Sequence, residues 1–100
     1  MDRKHLDALE DILHHKSVSI VVARDVLGNM RQMLAPSKAD VEAVMAAYAR
    51  GLRHKDAEVQ NLTRTELESL RNHSEPVIRT LADETLRFHE KNEALRRPKK

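Results

Sequence analysis

Residues 67–95 read LESLRNHSEPVIRTLADETLRFHEKNEAL, and within this stretch Leu67, Ser74, Leu81, Phe88 and Leu95 fall seven residues apart without a slip. Leu70 and Val77 follow the first two of these by three residues. A seven-residue apolar repeat keeps one seam of a helix turned toward a second helix, so the spacing predicts a C-terminal third that packs lengthwise on something. The second series continues as Glu84 and Lys91, so the regular contact should weaken toward the C-terminus. Leu67, Leu70, Val77, Leu81, Phe88 and Leu95 are therefore the candidate oligomer or partner interface.

Composition favours helices throughout. The chain has 100 residues with 2 Gly, 3 Pro, 1 Tyr, 1 Phe and no Trp, whereas strand-rich folds need frequent turn residues, aromatics and β-branched residues. Apolar residues make up 40% and charged ones 34%, too apolar for a disordered chain and too interspersed for a membrane span. Cysteine is absent, which rules out disulfides, a thiolate nucleophile and thiolate-held zinc. The N-terminus, Met1-Asp2-Arg3-Lys4, lacks the apolar core of a secretory signal, and the expected location is the cytoplasm. The net charge of +2 is unevenly placed, since residues 76–100 carry 7 basic and 4 acidic side chains while the rest nearly balance. Arg96, Arg97, Lys99 and Lys100 supply most of that excess, predicting a helical domain over residues 1–95 and a basic, flexible tail over 96–100.

Helical spacing then divides the chain. Leu6, Leu9, Ile12 and Leu13 form one face of a first helix over about residues 3–15, with Asp2 as its N-cap. Ser17–Ala23 is β-branched enough to suggest a strand, but nothing else in the chain could pair with it. A single helix over about 18–34 is favoured, with Gly28-Asn29 as the competing turn. Its apolar residues run almost all round, predicting the most deeply buried helix. Ala35-Pro36-Ser37 marks a boundary at which Ser37 can cap the next helix, backed by Asp40. Val41, Val44, Met45, Tyr48 and Leu52 form its stripe, with the Tyr48 hydroxyl expected at the rim. Residues 38–73 read either as one very long helix or as two joined near Arg53–Asp56, Gly51 being a weak point. His73-Ser74-Glu75-Pro76 signals a kink or tight break, with Ser74 as N-cap and Pro76 in the first turn. Beyond it, Glu75/Arg79, Asp83/Arg87 and Glu93/Arg97 are acid-before-base pairs one turn apart.

Chemistry-bearing patterns are weaker than their structural readings. Glu10/His14 and Asp11/His15 are each one turn apart, yet neighbouring histidines diverge on a helix and no second such pair recurs, so no metal ligands are assigned. His73 and His54 lack the surroundings of a phosphoacceptor histidine. No Gly-rich turn presents a nucleophilic serine or cradles a phosphate. The sequence thus assigns no catalytic residue, no cofactor and no enzyme activity. Arg50, Arg53 and Lys55 are candidate nucleic-acid contacts, but Glu58, Glu66 and Glu68 interrupt the basic run, and +2 is small for binding driven by counterion release. Met30, Met33 and Met45 could line an adaptable groove, though core packing accounts for them as well.

The expected object is all-α, a small helical bundle with a long C-terminal helical hairpin or a kinked, coiled-coil-like helix. The expected function is that of a non-enzymatic adaptor or regulatory protein acting on a protein partner, as a homodimer whose seam lies wholly or partly between chains. The alternative is a DNA-binding regulator, of transcriptional or plasmid and phage type, in which dimerisation spaces two basic patches.

Overall fold

The break within the quoted stretch falls at residues 71–75, and it decides how the helices are stacked. The computed structural model describes residues 3–34 and 37–96. It contains five helices, α1 (Arg3–Leu13), α2 (Ile20–Gln32), α3 (Lys38–Leu52), α4 (Ala57–Leu70) and α5 (Pro76–Arg96). Asp2, Ala35, Pro36 and the tail from Arg97 onward lie outside the described residues. Among the described residues no strand occurs, and no helix is long and apolar enough to cross a membrane.

Each boundary has a local cause. Ser19 adopts extended backbone and its hydroxyl accepts from the Val22 N–H, so α2 starts two residues later than the apolar pattern does. The β-branched run is nevertheless helical, because no second strand exists to pair with it. Ser37 holds the N-cap position of α3 without a side-chain capping bond. Residues 38–70 resolve into two helices, broken where Arg53–Asp56 predicted it. Asp56 caps α4 by accepting from the Glu58 N–H at 2.9 Å. In α5 the first turn bonds to the Glu75 carbonyl and not to Ser74, which places Pro76 first, where its missing N–H costs nothing.

One apolar core joins all five helices. α3 is its centre, burying Val41, Val44, Met45, Ala47, Tyr48, Gly51 and Leu52 between α1 on one side and α4 and α5 on the other. α1 contributes Leu6, Leu9 and Leu13, packed chiefly on α2. Each buried leucine contributes about 1.5–3 kcal/mol toward docking this 11-residue helix. The shortest dimension of the molecule, 19 Å, is about two helix diameters, and the bundle is two layers thick.

Three expectations change. α2 is one-sided, burying Ala23, Val26, Leu27 and Met30 while Val21 stays 65% exposed, and α3 takes the central place instead. Tyr48 is fully buried, its hydroxyl donating to the Leu27 carbonyl at 3.1 Å, not placed at the rim. Burial pushes its pKa above the ordinary phenol range, with Glu66 adding to the effect. The seven-residue series does not run along one rod, because α4 ends at Leu70 and α5 folds back on α3 and α4. This turn shifts the buried face of α5 to Ile78, Ala82 and Leu86. Of the anticipated turn-spaced ion pairs, Asp83–Arg87 forms at 2.8 Å. Asp83 also meets Arg71 at 2.7 Å, tying the end of α4 to α5, and Arg87 and Arg71 together hold its carboxyl below the usual range. Arg79 instead donates to the carbonyls of His73 and Ser74.

Candidate interaction surface

Folding α5 across α3 leaves a groove of about 430 Å³ between them. Its apolar lining comes from Met45, Ala46 and Ala49 of α3 and from Leu81 and Phe88 of α5. These residues meet there because α5 turns Ile78, Ala82 and Leu86 into the core, which leaves Leu81 half-buried beside them and Phe88 on the lip, 68% exposed. Two turns further along α5, Leu95 is 75% exposed. Glu42, Glu84, Glu93 and Arg53 stand around the opening, so its rim is predominantly acidic.

The candidate interface residues therefore divide by position. Leu67 and Leu70 are fully buried in the chain's own core, Val77 and Leu81 are half-buried against it, and only Phe88 and Leu95 project into solvent. Of the candidate phosphate contacts, Arg50 is held by Glu10 across α3 and α1 at 2.6 Å, Arg53 stands at the groove mouth, and Lys55 is exposed in the α3–α4 turn. Arg50 thus already has a carboxylate partner.

A second apolar surface lies at the α1–α2 turn. Ile12, Val18 and Val22 line a shallow recess of about 370 Å³ that shares no residue with the groove, and Val21 projects beside Val22 on α2. Sequence reading missed it by counting Ile12 and the valines as core. The usable signal was the apolar excess around α2, more than one buried face can absorb.

Histidines organise the turns. α1 ends at Leu13, so His14 and His15 lie beyond the helix on which their pairing with Glu10 and Asp11 was read. His15, His54 and His73 follow the ends of α1, α3 and α4, and each accepts at Nδ1 from the backbone N–H two residues on, at 3.1, 2.9 and 3.0 Å. His54 is buried, and with Nδ1 accepting, its Nε2–H donates to the Leu13 carbonyl at 2.8 Å, closing the C-terminus of α1 from 41 residues away. Its ring stacks on His14 with centroids 5.0 Å apart. Among the described residues no group of three or more His, Cys, Asp or Glu is placed to hold a metal ion.

Two imidazoles are shifted. His14 is held below its ordinary pKa by burial, then by His54, with Arg50 adding to this and Glu10 and Asp11 opposing it. His89, between the groove and a polar recess lined by Gln60 and Arg64, is lowered by burial and by Arg64 and Arg53 against Glu93 and Glu90. A histidine whose folded pKa is depressed binds fewer protons in the native state than when unfolded. Its contribution to stability is intact above about pH 6.5 and is lost as pH falls through that value toward the folded pKa. The melting temperature should accordingly fall between pH 7 and 5, and a His14→Gln, His89→Gln variant should show a flatter decline over the same window. An unchanged slope in the double variant would assign the acid sensitivity elsewhere.

No protein-family model, no curated protein and no solved structure matches the chain.

Proposed function

We propose that this is a non-enzymatic helical adaptor or regulatory protein of the cytoplasm, acting by binding protein segments at its exposed apolar surfaces. The observation that carries the reading is the α3–α5 groove with Phe88 standing open on its lip. A large aromatic side chain beside an apolar groove and a polar rim is the arrangement of a contact surface, since an exposed apolar cluster costs solubility unless another molecule covers it. A groove flanked by two helices suits a third helix, and coiled-coil-like packing belongs on the outer stripe of α5. The separate α1–α2 surface gives the chain a second point of attachment, which a bridging protein requires.

The DNA-binding alternative is disfavoured by the same surface. A phosphate approaching Arg53 meets the acidic rim of the groove, and one approaching Arg50 must displace Glu10. Wild type should bind random duplex DNA at about 0.15 M salt no better than about 10⁻⁵ M, the non-specific range. An Arg50→Ser, Arg53→Ser, Lys55→Ser variant should behave alike in a gel-shift titration. Submicromolar binding by wild type that this variant abolishes would make nucleic-acid recognition the leading function.

A further inference from the structure

The protein ligand of the α3–α5 groove can be named from the pattern of α5 itself. We propose that it is a second copy of this chain, laid on α5 in the opposite direction about a two-fold axis at Phe88. The inference rests on reading the groove as a protein-binding surface and adds the identity and orientation of what binds there.

A two-fold contact must be self-complementary, so each copy has to offer both halves of every interaction. Along α5, Leu81 lies seven residues before Phe88 and Leu95 seven after it. At a rise of 1.5 Å per residue both stand about 10.5 Å from Phe88 along the axis, on nearly the same side of the helix. Setting Phe88 against Phe88 of a reversed copy therefore brings each Leu95 over the other copy's Leu81. The two positions differ in the way such a fit needs. Leu81 is half-buried and lines the groove with Met45, whereas Leu95 is 75% exposed and projects. Each copy supplies the leucine that fills the other's groove, and the groove of one copy is incomplete without the second.

Charge selects the direction. Glu84 lies four residues before Phe88 and Lys91 three after it. At about 100° per residue both fall on the same flank of the Phe88 ridge, roughly 40° and 60° round. Both are exposed, and neither forms an ion pair with another described residue. In the reversed pair, Glu84 of each copy comes beside Lys91 of the other, twice by symmetry. With both helices running the same way, Glu84 would meet Glu84 and Lys91 would meet Lys91, which repel. The polar interruptions that weaken the seven-residue seam as a same-direction coiled coil thus become the feature that orients a reversed one. The α1–α2 surface, which takes no part, is displayed twice by the dimer.

Analytical ultracentrifugation of the full chain tests the assembly. Wild type should be dimeric at tens of micromolar. Phe88→Glu should weaken the dimer roughly a hundredfold, as expected for a central aromatic anchor. Its helical circular dichroism should be unchanged, because the side chain is already outside the core. Glu84→Lys and Lys91→Glu should each weaken the dimer, and the two together should restore it. Because the chain has no cysteine, orientation can be read from single-cysteine variants under mild oxidation. Leu81→Cys mixed with Leu95→Cys should cross-link, and Leu95→Cys alone should not. Wild type that stays monomeric at those concentrations, or Leu95→Cys that cross-links to itself as readily as to Leu81→Cys, would overturn the proposal. A monomer that still takes up a host protein through Phe88 would refute the dimer while leaving the protein-binding reading standing. A monomer that takes up none would remove both.

Discussion

Gly51→Ala should destabilise the protein by about 1–3 kcal/mol, the usual effect of forcing an extra methyl into a packed site, although alanine is the better helix former by about 1 kcal/mol. Gly51 sits in the last turn of α3 where α4 crosses it, and a Cβ there would stand 2.9 Å from Thr63 Oγ1 and 3.0 Å from its Cγ2. Thr63 has no room to yield, being fully buried with its hydroxyl donating to the Val59 carbonyl at 2.8 Å. Thr63→Ala removes both clashing atoms and leaves only its own Cβ, 3.5 Å away and in ordinary contact. The double variant Gly51→Ala, Thr63→Ala should therefore recover most of what the first substitution loses, a coupling that urea denaturation of the four proteins in the cycle would measure. Gly28 provides the contrast. Beyond the local backbone and the two adjacent residues, nothing lies within 4 Å of the place a Cβ would take at Gly28, so Gly28→Ala should gain up to about 1 kcal/mol from helix propensity alone. If both glycine variants stabilised the protein, the close crossing of α3 and α4 would be wrong.

His54→Ala should cost about 2–3 kcal/mol, because it strands backbone groups at two helix ends at once. The Leu13 carbonyl loses the donor that closes α1, the Asp56 N–H loses its acceptor at the start of α4, and the His14 ring loses its neighbour. The two halves can be separated. His54→Gln can still place an amide N–H near the Leu13 carbonyl, and His54→Asn can still offer an oxygen to the Asp56 N–H, so each should restore part of the loss. Amide exchange gives the local readout, with the Asp56 N–H exchanging faster in His54→Ala and His54→Gln than in His54→Asn. Equal exchange in all three would mean that the turn is held by other contacts, such as the bond from the Gln60 side chain to the His54 carbonyl.

Much of the fold was legible because its signals were local. The scarcity of turn residues and the spacing of Leu6, Leu9 and Leu13 or of Val41, Val44, Tyr48 and Leu52 specify helices and their inward faces without reference to anything distant. Pro76 and Asp56 mark helix starts by chemistry intrinsic to those residues. What was not legible depended on which helix covers which. The seven-residue count from Leu67 to Leu95 was regular, but spacing carries no record of a chain reversal, and the turn at 71–75 moved the buried stripe of α5 onto Ile78, Ala82 and Leu86. Gly51 looked like a flaw because its value lies entirely in Thr63, twelve residues away on another helix. The histidines looked like ligands or surface charges because their partners are backbone atoms, to which a sequence gives no pointer. The groove was half visible. Phe88 and Leu95 were named as interface residues from spacing, whereas Met45, Ala46 and Ala49 join them only through the packing of α5 on α3.

Affinity capture from the native host, scored for protein and for nucleic acid after nuclease treatment, tests most directly whether the α3–α5 surface is what the protein works with. Wild type and an Arg53→Ser, Lys55→Ser variant should retain the same host protein, and a Phe88→Glu variant, folded to the same helical content but monomeric, should retain less of it, because the α1–α2 surface is then displayed once and not twice. Retention of nucleic acid alone, kept by Phe88→Glu and lost by Arg53→Ser, Lys55→Ser, would contradict that assignment and move the function to the basic side chains.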